Sequence, residues 1–194
     1  MKIAILSDIH DNVWALAAAL EHAQEAEALL CCGDLCSPFI IPRLAEGFAG
    51  RPIHIVFGNN DADLFRITRQ ASRFPQVELH GAFFQGEVGG VRLAMNHYDD
   101  IALALAASGQ FQVVCYGHNH AYKVERLGGT LTINPGTLLG YDPIHNRDVP
   151  ATFVLYDTAS GEAAGYQVHP TTPRQSREAS HSNLRGAWVC EGYR

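Results

Sequence analysis

No apolar stretch in this 194-residue chain approaches the roughly 20 residues that span a bilayer. The N-terminus enters a strand-like run at Lys2 without the charged, apolar and small-residue regions of a signal peptide. No membrane partner is expected, and the cytoplasm is the expected location. Basic charge is scarce: 14 Lys and Arg stand against 20 Asp and Glu, for a formal net charge of −6. Long duplex nucleic acid requires a basic footprint, so it is not an expected partner. A small anionic substrate stays compatible, because bound cations turn the local field positive while the rest stays acidic. Cysteine is unpaired as well as sparse: Cys31, Cys32 and Cys36 cluster, and Cys115 and Cys190 stand apart. That odd count and spacing argue against a disulfide framework or a structural zinc knuckle. Cys31, Cys32 and Cys115 sit within apolar runs and read as small buried hydrophobes. Internal repeats and low-complexity segments are also missing. What is present, 47% hydrophobic and 18% charged residues, suffices for one globular domain with a real core.

Short runs rich in Ile, Val and Leu, broken by Gly, Asn and Asp, read as buried strands with loops at their ends. Five of these runs end in metal-ligand residue types. KIAILSDIH delivers Asp8 and His10, ALLCCGD delivers Asp34, and PIHIVFGNND delivers Asn59. VRLAMNH delivers His97, and VVCYGHNH delivers His118 and His120. Ligands in open α/β sheets gather at the carboxyl ends of strands, so five such patches can converge on one point. Each patch is weak alone, since Gly-Asp and Gly-Asn are ordinary turn chemistry. In an extended segment Asp8 and His10 would face one side. Two imidazoles at i and i+2 after a buried strand are more specific, and their spacing suits two ions, one ring to each. Seven side chains are too many for a single ion that must admit substrate; they suit two ions sharing a bridging carboxylate. Their oxygen and nitrogen donors match manganese, iron, zinc or nickel. The conjunction reads as a dinuclear hydrolase.

Asp11 or Asn12 caps an expected helix through NVWALAAALEHAQEA, with Val13, Leu16, Ala17 and Leu20 on its apolar face. A strand through Cys32, a helix after Ser37-Pro38 and a strand at Arg51 to Phe57 complete a βαβαβ opening, which favours a parallel sheet. Helices are expected at Asp63 to Arg73 and at Ile101 to Ala107, the latter ended by Gly109. Beyond residue 110 the pattern turns to strands at Gln112 to Tyr116, Lys123 to Leu127, Thr130 to Asn134, Thr152 to Asp157 and Gly165 to His169. Two sheets packed face to face with helices outside accommodate both halves, an α/β fold. Residues 1–169 read as the domain. Residues 170–194 read as a polar, turn-rich tail whose Trp188, Val189, Cys190 and Tyr193 are apolar enough to dock, on this chain or across a homo-oligomer contact.

The ordered set Asp8-Ile9-His10, Gly33-Asp34, Gly58-Asn59-Asn60-Asp61, His97 and Gly117-His118-Asn119-His120 resembles the calcineurin-like metallophosphoesterase superfamily over most of residues 1 to 157. The compact length and GDLCSPF look like its small bacterial and archaeal phosphodiesterase branch. The resemblance implies a four-layer αββα sandwich of two mixed sheets flanked by helices. It implies that Asp8, His10 and His120 hold one metal, that Asn59, His97 and His118 hold the other, and that Asp34 bridges them. A hydroxide between the ions would attack phosphorus in line, with Asp34, Asn59, Asn60 and His97 as the catalytic set. The chain departs from the family at two points. Asn60 stands where many relatives carry a His that assists the leaving group. Asn96-His97-Tyr98-Asp99 stands where relatives often read Thr-His-Gly-His, so Asn60 and Asp99 become the substrate-facing residues. The implied activity is a phosphodiesterase acting on small phosphate esters, with phosphomonoesterase as the alternative. A retromer subunit shares the implied fold without catalytic competence, so a binding scaffold is the rival from another class. His22, His54, His80, His145, His169 and His181 follow no ligand pattern and read as structural or exposed. Arg66, Arg69 and Arg73 read as a solvated helix stripe, and Asn134-Pro135-Gly136 as a turn.

Overall fold

A computed structural model describes residues 1–169. The first apolar run forms β1 (Lys2–Leu6), and four of its five residues are buried because both faces of a central strand are covered. β2 (Ala28–Cys31) and β3 (Ile53–Ile55) continue it in parallel, connected through α1 (Val13–His22) and α2 (Ile40–Gly47). After α3 (Leu64–Ala71), β4 (Val77–Leu79) adds a further parallel strand. A hairpin of β5 (Phe83–Val88) and β6 (Val91–Asn96) starts a second sheet. There α4 (Asp99–Ala107) leads into β7 (Val113–Cys115), parallel to β6. β8 (Tyr122–Leu127) and β9 (Thr130–Pro135) form the next hairpin, with β9 parallel to β7. A short hairpin of β10 (Tyr141–Asp142) and β11 (Arg147–Asp148) precedes β12 (Ala151–Asp157) and β13 (Glu162–Val168). These last two return antiparallel to the first sheet.

The strand orders are β13-β12-β1-β2-β3-β4 and β5-β6-β7-β9-β8. Three cores separate four layers. Leu6, Leu29, Ile53 and Phe153 pack against Leu16, Leu20, Ile41 and Leu44 of the helices over the first sheet. Ile3, Ile5, Leu30, Met95, Val113 and Ile133 fill the space between the sheets. Ala94, Val114 and Tyr116 meet Ala102 and Ala106 of α4 on the far side. This is the αββα sandwich of two mixed sheets that the resemblance implies. Because β1, β2, β3, β6 and β7 are all parallel members, their carboxyl ends share one rim.

Several local expectations need correction. α1 ends at His22 rather than running to Ala26, and it buries Ala15, Leu16, Ala19 and Leu20 while Ala17 is exposed. Asn12, not Asp11, caps it, accepting from the Ala15 amide; Asp11 instead accepts from the Ser37 amide and hydroxyl. α4 begins two residues early, which puts Asp99 and Asp100 in its first turn, where the helix dipole favours them. β4, β5 and the β10–β11 hairpin carry too few alternating apolar residues to stand out in the sequence. Cys31, Cys32 and Cys115 are buried free thiols. Among the described residues no helix is long and apolar enough to cross a membrane. The tail expected at 170–194 lies outside the described residues.

Candidate metal centre

The loops after β1, β2, β3, β6 and β7 bring all seven candidate ligands together around Asp34. Its Oδ2 stands 3.4 Å from His10 Nε2 and 3.5 Å from His97 Nε2. On the His10 side, Asp8 Oδ1 lies 3.4 Å from His120 Nε2 and 3.9 Å from His10 Nε2. On the His97 side, Asn59 Oδ1 lies 3.0 Å from His97 Nε2 and 2.9 Å from His118 Nδ1. The rings form two pairs, His10 with His120 and His97 with His118, each 5.1 Å between centroids. Asp8, His10 and His120 make one compact group of ligand atoms; Asp8, Asp34 and His97 make another.

The ring nitrogens are oriented from behind. His97 Nδ1 donates to the Cys32 carbonyl at 2.8 Å, and His120 Nδ1 donates to the Tyr141 carbonyl at 2.6 Å. Each bond fixes the tautomer and turns Nε2 inward, as in metal sites whose histidines are held by outer partners. His97 Nε2 therefore presents a lone pair to Asn59 Oδ1, acceptor against acceptor. Among the described residues, only Ser7 Oγ, Asp8 Oδ1 and His10 Nε2 are buried side-chain polar atoms without a hydrogen bond. Two of these three face each other in the ligand set. A divalent cation satisfies such a carboxylate oxygen and imidazole nitrogen together, so the residues present fit the metal ions that the resemblance implies. The electrostatics agree in sign. Burial opposes a charge on Asp8, yet His10, His120 and the field of His97 hold its carboxyl well below the usual range. Burial likewise works against a charge on His120, and Asp8 with the Tyr141 carbonyl raises its pKa nonetheless.

The local backbone is special. Asp8, His10, Asp34, His118 and His120 all have positive φ, between 43° and 72°. The Asp-x-His segment is therefore a left-handed turn and not the extended one expected, although both side chains still reach the centre. Asp8 and His10 donate their amides to the Gly33 and Asp34 carbonyls, lacing the first two loops together. Gly58 and Gly117 allow closest approach: a Cβ on Gly58 would fall on the Asp34 carboxylate, and one on Gly117 on Ser7 Oγ and Asp8 Oδ2. Asp61, to which the sequence assigns no role, is buried and accepts from the amides of Gly58, Asp34 and Cys36 at 2.8, 3.0 and 2.9 Å. Burial pushes its carboxyl up despite these donors. Asp61→Ala leaves three amides without their partner and is expected to cost about 2 kcal/mol of stability, read by denaturant unfolding. A change under about 0.5 kcal/mol, the range of ordinary surface substitutions, would show that the amides find other partners.

Asn60 donates from its backbone to Asp34 Oδ1 and from its side chain to Asp34 Oδ2, both at 2.8 Å. Asp99 accepts from Asn119 at 2.9 Å. Both line a cavity of about 600 Å³ over the centre, whose far wall is Leu139, Tyr141, Pro143 and Ile144 and which has no Lys or Arg among the described residues. That apolar wall, built by the β10–β11 hairpin, leaves no signature in the sequence beyond a turn-rich PIHNRD. Arg66 and Arg69 are exposed on α3, Arg73 is exposed just beyond its end, and none of them lines the cavity. Asn134 is buried behind it, donating to the Gly117 carbonyl and to Asn119 Oδ1. His22 bonds back to the Ala18 carbonyl, and His145 pairs with Asp142.

Acidic, imidazole and amide ligand types on the common rim of an αββα sandwich form a candidate centre for divalent metal ions. Residues 1–161 match the model of the calcineurin-like phosphoesterase superfamily domain, and the chain belongs to that superfamily. Phosphodiesterase MJ0936 of Methanocaldococcus jannaschii is 29% identical over 145 residues, 73% of this chain and 86% of the relative. The structure of an archaeal phosphodiesterase superposes with a TM-score of 0.77 at 26% identity, covering 87% of this chain and all of that one. Vacuolar protein sorting 29 of Cryptosporidium parvum shares the fold, with a TM-score of 0.61 at 19% identity over 85% of this chain and 95% of its own.

Proposed function

We propose that the protein is a dinuclear phosphodiesterase acting on small phosphate esters. The observation that carries this reading is the placement of Asp34 Oδ2, 3.4 Å from a histidine of one group and 3.5 Å from a histidine of the other. Asp8, His10 and His120 would hold one ion, Asn59, His97 and His118 the other, with Asp34 between them. Manganese, iron, zinc or nickel suits these donors. When bound, such a pair activates water for in-line attack at phosphorus and neutralises charge on the phosphoryl oxygens. The chain's own residues do the rest. Asp34 is held by both Asn60 donors in the one orientation that faces His10 and His97 together. The Cys32 and Tyr141 carbonyls keep two imidazoles turned inward. Asp99, with no Lys or Arg lining the cavity among the described residues, disfavours a second negative charge on the substrate. The wall at Leu139, Pro143 and Ile144 offers an apolar seat for a leaving group. Net charge and lining both speak against long nucleic acid.

The test is hydrolysis of an aryl phosphodiester by metal-depleted protein reconstituted with each ion, beside His97→Ala and His118→Ala. Activity should require metal and fall at least about 10²-fold in either variant, the upper range for loss of a group that merely supports a ligand. A metal-loaded wild type that turns over no phosphate ester while binding a protein partner tightly would establish the scaffold reading instead.

A further inference from the structure

No ligand pattern in the sequence singles out His54 or His80, yet the fold brings them together. His54 is the middle residue of β3. Its neighbours Ile53 and Ile55 pack under the helices, so its ring points the other way, toward the space between the sheets. Glu78 is its register partner on β4, and His80 follows two residues later on the same side. β4 edges the first sheet and β5 the second, so the cluster lies at an open flank of the sandwich, away from the strand-end centre.

We propose that His54, Glu78 and His80 form a further binding site for a borderline divalent cation of the zinc class. His54 Nδ1 lies 3.0 Å from His80 Nε2 and 3.7 Å from Glu78 Oε2, which is 4.0 Å from His80 Nε2. Ligands placed roughly 2.0–2.2 Å from a tetrahedral ion stand about 3.3–3.6 Å apart, within the range these donors already span. Two histidines and one glutamate leave the fourth position for water, and the half-exposed Glu78 opens that position to solvent. A ring-to-ring hydrogen bond explains the 3.0 Å contact alone. It does not explain a carboxylate near the same two nitrogens, since one shared proton leaves the other acceptors facing each other. Burial lowers the pKa of both rings, helped at His80 by His54 and opposed at each by Glu78, which favours the neutral imidazoles that a divalent ion binds. Phe84 braces both rings, 5.1 Å from His54 at an interplanar angle of 14° and 4.3 Å from His80. It can do so because Gly86 has no side chain: a Cβ there would come within 2.9 Å of the Phe84 ring. An ion bound here ties β3 to β4 and to the turn into β5, at the base of the loop that carries Asn59 and Asn60.

The test equilibrates wild type, Glu78→Gln and His80→Gln with Zn²⁺ and measures zinc per chain after desalting. A parallel NMR titration follows the His54 and His80 imidazole resonances. Each variant should hold one ion fewer than wild type and hydrolyse an aryl phosphodiester at an unchanged rate. Both ring resonances should shift in one step in wild type, and Glu78→Gln should weaken that step at least about tenfold. Equal zinc content in all three proteins, or rings that do not respond while zinc binds elsewhere, overturns the proposal. The quantity read is the difference between proteins, so the result stands whatever number of ions the strand-end centre holds.

Discussion

Asp34→Asn should empty the strand-end centre as a whole and reduce kcat/KM for an aryl phosphodiester by more than about 10³-fold, beyond the 10–100-fold typical of groups that only support a ligand. The substitution changes hardly any volume, but it changes the chemistry on both faces of the carboxylate. Asp34 accepts from Asn60 at each oxygen, 2.8 Å in both cases. An amide can keep one of those bonds, and at the other its NH₂ meets a donor. With its oxygen toward His10 and His97 the amide keeps the Asn60 side-chain bond but sets its NH₂ against the Asn60 backbone N–H; turned the other way, that oxygen is lost. Elemental analysis after reconstitution should therefore show two ions per chain fewer than wild type, whereas a ligand that belonged to one ion would remove only one. Circular dichroism of the metal-free variant separates this from misfolding. A variant that holds as many ions as wild type and stays within tenfold of its activity would sink the bridging role.

The second large effect concerns the leaving group. Asn60 stands where many members of the superfamily carry an imidazole, and its amide is already engaged with Asp34. An amide cannot supply a proton to a departing alkoxide. General acid assistance is worth about 10²–10⁴-fold, and its absence matters most for poor leaving groups. Wild-type rates should consequently fall steeply as leaving-group pKa rises across a series of aryl and alkyl diesters, and Asn60→His should flatten the slope. Alkyl phosphomonoesters should be the poorest substrates, because among the described residues their dianions meet Asp99 and no Lys or Arg in the cavity. A shallow wild-type slope with chemistry shown to be rate-limiting, or faster cleavage of alkyl monoesters than aryl diesters, contradicts this assignment.

The ligands are legible in the sequence because each sits where an apolar run stops, and the runs stop at strand ends for reasons of burial alone. The βαβαβ opening is legible in the same way. The supports are not. Asp61 lies inside Gly58-Asn59-Asn60-Asp61, but nothing in four residues tells that its carboxylate also gathers two amides from the loop after β2. The Tyr141 carbonyl that orients His120 comes from a two-residue strand with no periodicity of its own. His54 and His80 meet only through the parallel pairing of β3 and β4, a register that neither short strand specifies by itself. Even the Asp8-Ile9-His10 turn misleads when taken as extended backbone, because φ values of 52° and 43° turn both side chains inward by another route.

Those left-handed residues bear on how the molecule assembles. For residues other than glycine the conformation costs about 1–2 kcal/mol each, so none of the three loops that hold them, after β1, β2 and β7, is a structure the free chain seeks. Local preference cannot nucleate them; they are imposed once strands on either side are fixed. The pairing of β1 with β12 is the most distant in the first sheet, and contacts of such separation are slow to form. Substitutions in the ligand loops are therefore expected to change the unfolding limb of a chevron and leave the folding limb alone. A chain of this architecture can thus exchange or lose its chemistry at the rim without redrawing the sandwich beneath it.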